Sequence, residues 1–160
     1  MNALDIMKYG NLTLLGTIAD LPEDKWMVDG VCGWWSVRHI IAHLASYECV
    51  LEEVLTGYLD SNVPHPNLDE YKSGADFNDN QVNRREGYSP KQALDEYNET
   101  HQRVMQLAKR IPRETYEKVG TLPWYGEEYA LDDYIVYAYY GHKREHSAQI
   151  NVFKDTLKLA

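Results

Sequence analysis

Two histidines, His142 and His146, stand four residues apart near the end of the chain, and a third, His43, lies far earlier. Each residue turns about 100° on an α-helix, so residues four apart stand one above the other. His142 and His146 share their face with Leu131, Ile135, Ala138, Gln149, Ile150 and Phe153, the kind of stripe that faces a helix-bundle core. On its own helix His43 shares its direction with Ile40, Tyr47, Val50 and Val54, so it too is expected inside. Three buried imidazoles without partners would cost about 1–3 kcal/mol each, and charging them together adds repulsion. A shared divalent cation removes both penalties. Three nitrogen donors also leave one coordination position open, the arrangement in which a metal activates water or substrate. In the competing reading each histidine is hydrogen-bonded in the core or lies at a wet surface. Spacing alone leaves both open.

The other candidates follow from the same helical phases. His39, one turn before His43, is either a fourth nitrogen ligand or a group at the rim of the site, and its place near the helix start favours the rim. His65 and His101 lack comparable context and are expected at the surface. Glu48 is the carboxylate to consider as a base for hydrolysis, but it stands about 140° from His43, which favours a solvated or helix-pairing role. Cys49, about 240° around from His43, reads as a buried inert thiol rather than a ligand.

Four long helices must position these groups. The first is predicted from Leu4 to Ala19, stopped before Pro22. The second starts at the N-cap Ser36, repeats Val37, Ile40, Ile41, Leu44, Tyr47, Leu51 and Leu55 at helical spacing, and ends near Gly57. From Tyr58 to Tyr88 the chain turns polar and carries Pro64 and Pro66, which predicts a long connection with one short helix near Ala75 to Arg85. The third helix opens with the capping box Ser89-Pro90-Lys91-Gln92 and runs to about Arg110, before Pro112. After a loop with Pro123 and Gly126, the fourth and longest runs from Leu131 to Leu157. No segment reads as a strand. The fold class is all-α, a four-helix bundle with one long crossover connection, in one domain over residues 1–160.

Composition narrows the partners. A chain of 160 residues buries roughly two thirds of its unfolded surface, enough for a continuous core without disulfides. Cys32 and Cys49 form no CxxC and read as free thiols in a reducing compartment, with the cytoplasm as default. The opening MNALDIMKYGNLTLL lacks the pattern of a signal peptide, and no stretch approaches the ~20 apolar residues of a membrane span. A soluble, unprocessed protein with no membrane partner is expected. Acidic residues outnumber basic ones 25 to 16, for a net charge of -9, which repels nucleic acid. Arg84-Arg85 and Lys143-Arg144 read as solvated helix faces rather than a basic stripe. Thirteen tyrosines and four tryptophans against two phenylalanines imply a core or cleft of polar-tipped aromatics.

Gly33 to Glu48, GWWSVRHIIAHLASYE, and Gly141 to Ile150, GHKREHSAQI, resemble the two signature segments of the DinB-like, or YfiT-like, superfamily. Trp35-Ser36, His43-Leu44, His142, His146, Gln149 and Ile150 fit its pattern position by position, and the likeness spans nearly the whole chain. The resemblance implies an up-down-down-up bundle in which His43, His142 and His146 bind one divalent ion, zinc or nickel above all, frequently in a homodimer. His39 departs from the acidic or variable residue common at its position. The superfamily includes thiol S-transferases and isomerases that use low-molecular-weight thiols such as mycothiol or bacillithiol, beside many members of no assigned activity, so membership alone fixes no reaction.

Three functions follow as expectations. The favoured one is a metal-dependent thiol S-transferase acting on a small molecule with a low-molecular-weight thiol as cosubstrate. The others are a metal-dependent hydrolase and a non-catalytic metal or small-ligand binding domain. Catalytic residues beyond the metal ligands remain unassigned. For thiol transfer, Trp34, Tyr47, Tyr137 or Tyr140 would line a pocket, Arg84 or Arg85 would meet a carboxylate, and Trp124-Tyr125 would either lid the site or pack on the surface.

Overall fold

The computed structural model describes residues 2–159. Helix α1 spans Ala3–Ile18, and the side chain of Asn2 caps it by accepting from the amides of Leu4 and Asp5. A 3-10 turn, Glu23–Met27, leads to α2, Val37–Leu59. The start of α2 is a capping box: Ser36 Oγ accepts from the His39 amide, and His39 Nδ1 accepts from the Ser36 amide. The helix passes through Gly57 rather than ending there.

The connection that follows holds two short helices, α3 (Pro66–Ser73) and α4 (Phe77–Arg84), where one was expected. The reason is not local. Glu53, on α2, accepts from the amides of Asn67 at 3.2 Å and Leu68 at 2.7 Å, supplying from a distant helix the N-terminal cap that α3 lacks in its own sequence. Helix α5, Pro90–Ala108, begins at its predicted capping box. A five-residue helix, α6 (Arg113–Glu117), interrupts the next loop.

The last helix is one rod in three parts: α7 (Leu131–Ile135), a π-helical turn (Val136–Gly141) and α8 (His142–Leu159). Among the described residues there is no strand, only isolated bridges at Cys32–Trp35 and Val119–Ala130.

Contacts between helices fix their directions. Gly10 lies against Tyr139 and Tyr140, and Thr17 against Lys154, so α1 runs parallel to the last helix. Glu48 meets His101 and Glu52 meets Arg103, so α2 runs parallel to α5. His43 meets His146's neighbourhood while Tyr47 meets Tyr139, so α2 is antiparallel to the last helix. The result is an up-down-down-up bundle, and the parallel α2–α5 pair is what requires the long crossover through α3 and α4. Its interior divides into two apolar clusters. One includes Leu51, Leu55, Val104, Leu131 and Tyr134, and the other Leu14, Ile41, Leu44, Val82 and Tyr97. No helix among the described residues is long and apolar enough to cross a membrane.

Candidate metal centre

His43, from the middle of α2, meets His142 and His146, from the first turns of α8. His142 Nε2 lies 2.9 Å from His43 Nε2 and 3.0 Å from His146 Nε2, and the three rings' ligand atoms all fall within 4.8 Å of one another. The rings are held from outside. Trp35 and Tyr47 each stand 4.8 Å from the His43 ring, and Tyr47 stands 4.6 Å from that of His142. His146 Nδ1 donates to Gln149 Oε1 at 2.8 Å, which fixes its tautomer and turns the lone pair of Nε2 toward the other two rings.

This donor set fits a divalent cation. Among the described residues the buried Nδ1 atoms of His43 and His142 have no hydrogen-bond partner. Three nitrogens aimed at a common point repel as lone pairs unless protons or a cation lie between them. Protons are disfavoured. Burial first, then the charges of His142 and His146, hold His43 well below the usual histidine range. Burial and His146 bring His142 down to about 4. Burial lowers His146 as well, although Gln149 and Glu145 oppose it. Zinc–nitrogen distances of about 2.0–2.1 Å place tetrahedral ligand atoms about 3.3 Å apart, so the two pairs at 2.9 and 3.0 Å would open by only a few tenths of an ångström.

A cleft of about 450 Å³ adjoins His142, lined by Tyr47, Tyr71, Tyr137, Ala138, Gly141 and Glu145. Tyr47 and Tyr71 meet edge to face at 5.6 Å, and Tyr137 is 74% exposed at the mouth. Burial, reinforced by Tyr71, pushes the Tyr47 phenol up to about 12, and burial raises Tyr71, so both stay neutral donors.

His39 lies outside the three-histidine cluster, as its place near the helix start favoured: Nδ1 accepts from the Ser36 amide and Nε2 meets Glu86 at 3.0 Å, so both nitrogens are occupied at the helix start. Other expected roles are corrected. His101 is buried, not at the surface, and its Nδ1 lies 3.2 Å from Glu48. Of the two roles expected for Glu48, helix pairing is the one it has: it is 1% exposed rather than solvated and meets Lys143 as well as His101. Lys143 is therefore no solvated lysine, at 2% exposure, whereas Arg144 next to it is exposed. Burial alone would raise the Glu48 carboxyl, but Lys143 and His101 hold it at about 2. It is unsuited to act as a base, and Arg84 and Arg85 both already meet carboxylates. Arg84 pairs with Glu70, and Arg85 is buried against Gln81 and Glu96.

Of the suggested pocket aromatics, Tyr47 and Tyr137 line the cleft, while Trp34 packs on His39 and Tyr140 contacts Arg144. Trp124 stands edge-on to Tyr71 and Tyr134 as part of the packing rather than as a lid. Cys49 is partly buried and burial pushes its thiol up to about 11, in keeping with an inert group. His65 is half-exposed and meets Asp69. Tyr71 and Glu145 were missed. Glu145 had a sequence signal, since it stands three residues after His142 on the same helix, but Tyr71 reaches the cleft only through the crossover.

The family model for the mycothiol maleylpyruvate isomerase N-terminal domain matches residues 13–127. The chain belongs to this family. The family lies within the DinB/YfiT-like superfamily, in accord with the signature segments and with the helical bundle. The matched stretch contains His43 and the whole crossover but ends before His142 and His146. No curated protein and no solved structure matches the chain.

Proposed function

We propose that this family member binds one divalent ion, zinc or nickel, through His43, His142 and His146, and acts on a small molecule as a metal-dependent thiol S-transferase. The observation that carries the reading is the convergence of three Nε2 atoms beside a cleft that contains His142. A divalent ion held there supplies Lewis acidity, which keeps a thiol or a water at its open position deprotonated near neutral pH. The family's name, with its mention of mycothiol, supports a low-molecular-weight thiol as cosubstrate.

The chain's own residues supply the rest. Trp35, Tyr47 and Gln149 hold the imidazoles in place. The neutral phenol of Tyr71 offers a hydrogen bond to a substrate oxygen, while Tyr47 donates its own proton to Asn78 at 3.2 Å and is left to accept. The thiol's sulfur forms a bond to an electrophilic carbon while the leaving group departs with its electron pair. A second reading, hydrolysis, is favoured by Glu145, a carboxylate in the same cleft able to accept a proton from water.

The test is turnover by tag-free protein reconstituted with zinc or with nickel. Each form is offered activated electrophiles with and without mycothiol, bacillithiol or glutathione. Thiol-dependent and metal-dependent consumption is expected. Turnover without thiol would favour the hydrolase, and metal binding with no turnover across the panel would leave a binding domain.

A further inference from the structure

The cleft beside His142 carries one charge of its own, and that charge is negative. Three of its walls are tyrosine rings, Tyr47, Tyr71 and Tyr137, and Glu145 is its carboxylate. Glu145 forms no ion pair among the described residues.

The neighbouring cations are all turned elsewhere. Lys143 is neutralised by Glu48 in the bundle interior, Arg144 donates to the Tyr140 hydroxyl, Arg84 meets Glu70 and Arg85 meets Glu96. An ion at the three histidines would be the site's sole positive charge, so an anionic group belongs there. Among the described residues no lysine or arginine lines the rest of the cleft to neutralise a second one. Aromatic faces with a nearby carboxylate are instead the surroundings that attract an ammonium group.

From this we infer that the cleft selects a small ligand with an ammonium group at the end away from the histidines and rejects one with a carboxylate or other anion at that end. The inference rests on the proposed reading only in taking this cleft as the substrate's place. It sets the chain apart from the carboxylate-bearing substrate class that its family's name contains, because recognition of such a group would need a free arginine or lysine in the cleft.

The experiment uses three probes of one shape that coordinate metal poorly: trimethyl(2-phenylethyl)ammonium, 2-phenylethanol and 2-phenylethanesulfonate. Binding to the full chain is measured by calorimetry, on both zinc-loaded and metal-free protein. The ammonium probe is expected to bind about tenfold tighter than the sulfonate, with the alcohol between them. Glu145→Gln should shrink that ratio several-fold, and Tyr137→Leu should weaken the ammonium probe most. Both positions are exposed, so the variants should keep the native helical signal. Equal affinity for the three probes, preference for the sulfonate, a ratio unchanged in Glu145→Gln, or no binding of any probe would each overturn the inference. Zinc stoichiometry, measured on the same samples, judges the histidine site separately. If zinc fails to bind, the metal-free series still scores the charge preference.

Discussion

Lys143, the residue directly after His142, turns away from the cleft and buries its ammonium against Glu48, one helical turn beyond His43 on α2. His101 of α5 meets the same carboxylate. The pair therefore ties together the two helices that carry the three histidines and anchors both to a third. A buried pair of this kind contributes little over apolar packing, but removing one partner leaves a charge stranded without water.

Glu48→Gln is accordingly expected to destabilise the protein by about 3–5 kcal/mol, because Lys143 loses its counter-charge. The double variant Glu48→Gln/Lys143→Met should recover most of that loss. Urea unfolding of the two variants and the native protein measures both. A double variant no more stable than the single one would show that the pair is more than a balance of charges.

His142→Ala and His146→Ala are each expected to abolish near-stoichiometric zinc binding while leaving helical content largely intact. Gln149→Leu should act more gently. It frees His146 Nδ1 and its tautomer, which is expected to weaken zinc by about 10- to 100-fold without loss of stoichiometry. Metal analysis after dialysis, with a competing chelator for affinity, reads all three. Undiminished stoichiometry in the alanine variants would rule out the site.

Gly10 tests the π-helical turn. A Cβ at this position would sit 2.9 Å from the Tyr139 carbonyl and 3.4 Å from the Tyr140 Cα, both backbone atoms that cannot swing aside. Gly10→Ala should therefore push α1 off the turn at a cost of about 1–3 kcal/mol. Because the turn ends immediately before His142, zinc affinity should fall in the same variant. A thermal scan with and without zinc shows whether the two effects come together.

Acid should unfold the metal-free protein in two stages. Burial and His146 hold folded His142 near 4, against an ordinary value of 6.5, and His43 and His146 are lowered too. The unfolded chain thus takes up protons first, so this stability is complete above about 6.5 and is lost as pH falls toward 4. Glu48 lies lower: burial opposes its ionisation, but Lys143 and His101 prevail and hold it near 2 against 4.5. Its share is complete above 4.5 and is lost as pH falls toward 2. Urea midpoints at about pH 7.5, 5.5 and 3.5 should drop stepwise, and zinc should raise the first two, because a ligand of the native state alone adds to its stability. A midpoint constant from pH 7.5 to 5.5 without zinc would contradict the histidine share.

The helices and their inward faces were legible because hydrophobic period and capping chemistry are local. Ser36 and Ser89 mark the starts of α2 and α5 where their side chains cap them, and the phases of His43, His142 and His146 point to one interior. His101 and Lys143 were misplaced by the same local logic. A polar residue on a helix reads as solvated unless its partner is known, and the partner here, Glu48, lies on another helix. Helix α3 escaped notice for a parallel reason, since its cap is Glu53 of α2.

By itself, then, the sequence determined four long helices, their apolar faces and three inward imidazoles, all properties of residues within a few turns of one another. Tertiary structure alone decided which charges are buried, that Tyr71 shares a cleft with His142, and that among the described residues no lysine or arginine lines it. Those facts depend on which helices lie side by side and on the π-helical turn that sets His142 against α2. Contacts between segments far apart in the chain leave no periodic trace in either segment.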